Sequence, residues 1–79
     1  MATWRAEFMV EPFEVGNPGA HVTAAVNAVR RLGFDPAMGP FGTTIEGEAE
    51  AVIDAVKEML DAATAAGASR ISLQIDTRS

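Results

Sequence analysis

Ten consecutive residues, "MGPFGTTIEG" at 38–47, bring together an aromatic ring, two hydroxyls and a carboxylate, separated by three glycines and a proline. An aromatic face, hydroxyls and a carboxylate are group types from which a binding site can be built. The same residues read most simply as a tight turn between two strands. Gly39, Gly42 and Gly47 then supply positive φ or a close approach of chains, and Thr43 and Thr44 are ordinary strand residues, one of which must face the open side. Phe41 either caps a small core or stacks on a partner, and Glu46, like Glu11 earlier in the chain, is either a solvated carboxylate or a ligand group.

Other chemistry is sparse. His21 is the only histidine and there is no cysteine, so a multi-histidine or thiolate metal site cannot be built within one chain. His21 falls in the first turn of the first helix, where the dipole disfavours its cation; it serves there as a surface or capping group, or helps to hold an anion. No Ser-His-Asp set and no carboxylate pair flanking a nucleophile can be read from the spacing, so an enzyme is the least favoured class. Trp4 reads as a packing or interface residue.

The elements that must position these groups follow from hydrophobic period. Residues 3–11 alternate, with Trp4, Ala6, Phe8 and Val10 on one side and Arg5, Glu7, Met9 and Glu11 on the other, and Pro12 ends the strand. Asn17 and Pro18 read as N-cap and first residue of a helix reaching Leu32, with Val22, Ala25, Val26, Val29 and Leu32 in one stripe and Gly33 as the stop. "FDPAMGP" is a poor strand that belongs on a sheet edge, because Pro36 and Pro40 cannot donate to a ladder. "TTIEG" resumes as a strand. A second helix runs from about 48 to 66, with Val52, Val56, Met59 and Ala63 inward, Ile53 and Leu60 widening the stripe, and Gly67 just past its end. "RISLQIDTR" closes the chain with Ile71, Leu73 and Ile75 inward and Ser72, Gln74 and Asp76 outward.

The order strand, helix, strand, strand, helix, strand predicts one ferredoxin-like α+β domain over 1–79, a four-stranded antiparallel sheet with both helices on one face. Its core is small, since 15 of the apolar residues are alanine. A formal charge of −5 with no basic run longer than Arg30-Arg31 argues against nucleic acid. No stretch approaches the length of a membrane span, and the absence of cysteine argues against a disulfide-stapled secreted protein, so the expectation is a soluble cytoplasmic chain. The second and fourth strands are sheet edges. The prolines blunt the second, so the fourth strand or the open face is expected to carry self-association.

The hairpin "GPFGTTIEG" at 39–47, set between "EFMVEPF" and "GASRISLQID", resembles the thiamine-binding protein family over essentially the whole chain. Phe41 stands where many members have Met, and "EVGNPGAHV" is an extended loop. The resemblance implies a non-catalytic, cofactor-free protein that binds thiamine or its hydroxymethylpyrimidine part and forms a homodimer or homotetramer. It makes Glu11, Phe13, His21, Phe41, Thr43, Thr44 and Glu46 the candidate ligand residues. Thiamine's cationic thiazolium and aminopyrimidine suit such a set: Phe41 to stack, Thr43 or Thr44 to hydrogen-bond, Glu46 or Glu11 to meet the cation or the amino group. The alternative is a structural or regulatory interaction protein that presents its sheet and takes no small ligand.

Overall fold

A computed structural model describes residues 2–12, 19–39 and 42–77. The elements are β1 (Thr3–Glu11), α1 (Ala20–Arg31), β2 (Ala37–Gly39), β3 (Gly42–Glu48), α2 (Ala49–Ala65) and β4 (Arg70–Asp76). They form one four-stranded sheet in the order β2-β3-β1-β4, every neighbouring pair antiparallel. This is the expected ferredoxin-like α+β fold, with β1 and β3 central.

The period of each element decides what it buries. From β1 come Ala6, Phe8 and Val10 and from β3 Ile45; α1 adds Val22, Ala25 and Val29, and α2 adds Val52, Ala55, Val56, Met59 and Ala63. Ile45, Met59, Val29 and Val52 are the largest fully buried side chains. Trp4, Phe34, Ile71 and Leu73 are partly buried against this cluster.

Both helices end in the same way. Gly33 and Gly67 have φ of 92° and 104°. In α1, Gly33 N–H donates to Arg30 O at 2.9 Å and Phe34 N–H to Val29 O at 3.2 Å; in α2, Gly67 N–H donates to Thr64 O at 3.1 Å and Ala68 N–H to Ala63 O at 3.0 Å. Each end is a full Schellman motif, satisfying carbonyls that the helix leaves unpaired.

The start of α1 differs from expectation, whereas α2 begins at Ala49, as expected. The N-cap of α1 is Gly19, not Asn17, and no side chain caps it. Gly19 is extended, and its carbonyl accepts from Val22 N–H at 3.1 Å and Thr23 N–H at 3.2 Å, which fixes the first turn there. Asn17 and Pro18 lie outside the described residues. Three apolar residues expected in the helix stripes are exposed: Leu32 at 46%, Ile53 at 49% and Leu60 at 37%. Leu32 is the C-cap, where the chain leaves the helical track, and Ile53 and Leu60 sit about 80–100° off the stripe centre, past the edge of what the sheet covers. Ile75 faces the helix side as expected but is 39% exposed, because the helices lie over β1 and β3 rather than over β4.

Candidate functional site

The register of β3 against β1 separates the two threonines. Thr43 lies opposite Phe8 and is buried, whereas Thr44 lies opposite Glu7 on the face away from the helices. Only one of the pair can therefore meet a ligand on the open face. On that face Glu7 stands between Thr44 and Gln74, and Arg5 between Glu46 and Asp76. Directly opposed side chains in such a sheet have Cβ atoms about 4.5–5.5 Å apart, so Thr44, Glu46, Arg5, Glu7 and Gln74 form one polar patch.

Glu11 is not part of that patch. It is six residues from Arg5 along β1, about 20 Å. Its Oε2 sits 3.6 Å from Arg70 Nε in an exposed pair, and its carbonyl accepts from Ser69 N–H at 2.8 Å. The Glu11–Pro12 peptide bond is cis. His21 lies at this same end of β1. Its Nε2–H donates to the carbonyl of Pro12, and its ring covers Gly19, where a Cβ would come within 2.6 Å of Cε1. The imidazole is thus engaged in tying the start of α1 to the end of β1. Phe13 and Phe41 lie outside the described residues.

The hairpin glycines differ in what they do. Gly42 has φ of 156°, and a Cβ there would come 2.7 Å from the Phe8 carbonyl oxygen, so the close approach of β3 to β1 needs a glycine. A Cβ on Gly39 would meet only Gly42 O at an ordinary 3.7 Å. The turn reading therefore holds for Gly42 in particular.

A cleft of about 630 Å³ opens along the margin of β3 that β2 leaves uncovered. Pairing of β2 with β3 runs from Gly39↔Gly42 to Ala37↔Thr44 and stops short of Pro36. Phe34, Asp35, Arg5, Thr44, Glu46 and Glu48 are among the residues around this margin. The cleft holds an aromatic ring, a hydroxyl, three carboxylates and one guanidinium, so its formal charge favours a cation. Thr44 and Glu46 were legible in the sequence as candidates. Phe34, Asp35, Arg5 and Glu48 were not, although Phe34 follows a helix-ending glycine and Gly47 is a strand glycine, both of which signal close packing. Among the described residues no group of three or more His, Asp or Glu is placed to hold a metal, and no helix is long and apolar enough to cross a membrane.

An open polar sheet face beside a mixed aromatic and acidic cleft, on a βαββαβ domain, defines a ferredoxin-like protein with the makings of a small-molecule site. The sequence matches the thiamine-binding protein family over residues 6–79, and the chain belongs to that family. Among solved structures it is similar to a domain of unknown function from Bacillus cereus, with 28% identity over 96% of this chain and 75% of that one and a TM-score of 0.70. It is also similar to a Thermotoga maritima protein whose assignment to thiamine biosynthesis or salvage is provisional, with 29% identity, 94% and 80% of the two chains covered and a TM-score of 0.68. A Streptococcus pneumoniae protein shares the fold at 22% identity, with 96% and 83% coverage and a TM-score of 0.71. No curated protein matches the sequence.

Proposed function

We propose that this protein binds thiamine or its hydroxymethylpyrimidine part without chemistry of its own, in sequestration or delivery, as a homo-oligomer. Family membership over residues 6–79 carries the reading. The cleft beside β3 supports it: Phe34 offers a ring edge, Thr44 a hydroxyl, and Glu46, Glu48 and Asp35 the negative charge a thiazolium needs. Bare β3 backbone beyond Thr44 suits the donor and acceptor edge of an aminopyrimidine. In this reading Glu46 meets the cation or the amino group, and of the two threonines it is Thr44 that touches ligand. Phe41 keeps the stacking role that the family resemblance implies.

Calorimetric titration with thiamine and, separately, with hydroxymethylpyrimidine tests the proposal. Saturable binding is expected, weakened about tenfold by Glu46→Gln, the loss of one charge-assisted contact. Phe41→Ala and Phe34→Leu divide the stacking role: loss in the first places the ring at the hairpin tip, loss in the second at the cleft. A folded protein that gives no heat with either compound removes the ligand reading and leaves an interaction protein.

A further inference from the structure

We infer that the cleft beside β3 takes its ligand as the free alcohol and excludes the phosphate ester of the same compound, through the carboxylates that surround its one cation. The inference rests on the reading of this cleft as the ligand site and concerns which form of the ligand enters it. A phosphate monoester carries about −1.5 to −2 charges at neutral pH, and needs cations or several donors to take the place of its water. The cleft turns carboxylates toward it instead. Asp35, Glu46 and Glu48 stand against Arg5, a formal charge of −2. Arg5 is the one cation among the described cleft residues, and the sheet register sets it between Glu46 of β3 and Asp76 of β4. Opposed side chains have Cβ atoms about 4.5–5.5 Å apart, so a phosphate drawn to the guanidinium would approach two anions at once.

The backbone features that ordinarily hold phosphate are committed elsewhere. The bend at Gly33 and Phe34 is glycine-bearing and lines the cleft, but Gly33 N–H donates to Arg30 O and Phe34 N–H to Val29 O, closing α1. The N-terminus of α2 borders the cleft, since Glu48 and Ala51 both line it, and such an end attracts anions. It already has its own: Glu48 is the N-cap and Glu50 lies in the first turn, while Ala49 N–H donates to Ala2 O at 3.1 Å. The bare margin of β3 presents N–H and C=O groups in alternation. That pattern suits a neutral donor and acceptor edge, and it sets a carbonyl beside each donor an anion would use.

Calorimetry at low ionic strength compares hydroxymethylpyrimidine with its phosphate and thiamine with its monophosphate. The pyrimidine pair is the sharper probe, because its phosphate hangs one methylene from the ring and is carried into the same acidic surround. The esters are expected to bind at least about tenfold more weakly than the alcohols, a modest share of what like-charge juxtaposition costs, since these side chains are exposed. Glu48→Gln and, on the other side of Arg5, Asp76→Asn are each expected to narrow that gap at least about threefold. Esters that bind as tightly as the alcohols, or a gap that neither variant narrows, overturn the inference and leave the ligand reading standing. A folded protein that binds none of the four compounds removes the ligand reading itself, and the inference with it. Inorganic phosphate, followed by amide chemical shifts, is expected to give no saturable change at residues 33–35 and 44–51; saturable shifts there overturn the exclusion whatever the other compounds do.

Discussion

The ring of Phe34 lies directly on the bare backbone of Gly47: a Cβ added there would come 2.9 Å from Phe34 Cε1 and 3.4 Å from Cζ. The relationship links two distant choices in the chain. The Schellman end of α1 delivers Phe34 to the rim of the sheet, and a glycine in β3 leaves room for the ring. Together they shape one wall of the cleft. Gly47→Ala is expected to destabilise the fold by about 1–3 kcal/mol, the usual cost of overpacking. Urea denaturation checks this. In the double variant with Phe34→Leu the two effects should fall short of additivity, since the smaller side chain relieves the contact.

His21 should behave as a fastener. His21→Ala is expected to lower stability by about 1 kcal/mol through loss of the hydrogen bond to the Pro12 carbonyl, with ligand affinity unchanged. Thermal melting and calorimetry on the same preparation separate the two effects. Affinity that falls while the melting temperature stays constant would return His21 to the ligand site.

The two threonines should answer opposite tests. Thr43 is 5% exposed beside Phe8, so Thr43→Asn is expected to cost about 1–3 kcal/mol by overfilling a packed position. Thr44→Val keeps the shape of an accessible strand residue and should leave the melting temperature within about 2 °C, consistent with the small effects of exposed substitutions. Its expected consequence is weaker binding of the heterocycle.

Ionic strength offers a test of the acidic cleft. Asp35, Glu46 and Glu48 outnumber Arg5 there. Affinity for cationic thiamine should therefore fall as salt rises from about 0.01 to 0.5 M, while affinity for neutral hydroxymethylpyrimidine should barely move. Equal salt sensitivity of the two would remove the electrostatic role of the cleft.

The interior is small enough for one residue to matter. Met59 of α2 is fully buried at the centre of the core, and Met59→Ala is expected to cost about 2–5 kcal/mol. Chemical denaturation should show a lower midpoint with the slope unchanged.

Much of this molecule was legible in the residues alone. Alternation in 3–11 and 70–76, the stripe of Val52, Val56, Met59 and Ala63, and the helix-stopping glycines 33 and 67 determined the elements, their order and their inward faces. Those signals are local: side-chain direction repeats every two residues in a strand and every 3.6 in a helix, whatever lies nearby. Which inward residue finds a cover, and which groups meet across the sheet, depended on tertiary placement. Leu32, Ile53, Leu60 and Ile75 carry the right period but reach past the helix and sheet area that could bury them. Thr43 and Thr44 are neighbours in sequence, yet only the register of β3 against β1 sent one into the core and the other to the open face beside Glu7. Phe34, Glu46 and Arg5 come from the α1–β2 connection, β3 and β1, and no period within any one of them encodes the cleft they share; it lies where β2 stops short of Pro36 and leaves the margin of β3 bare.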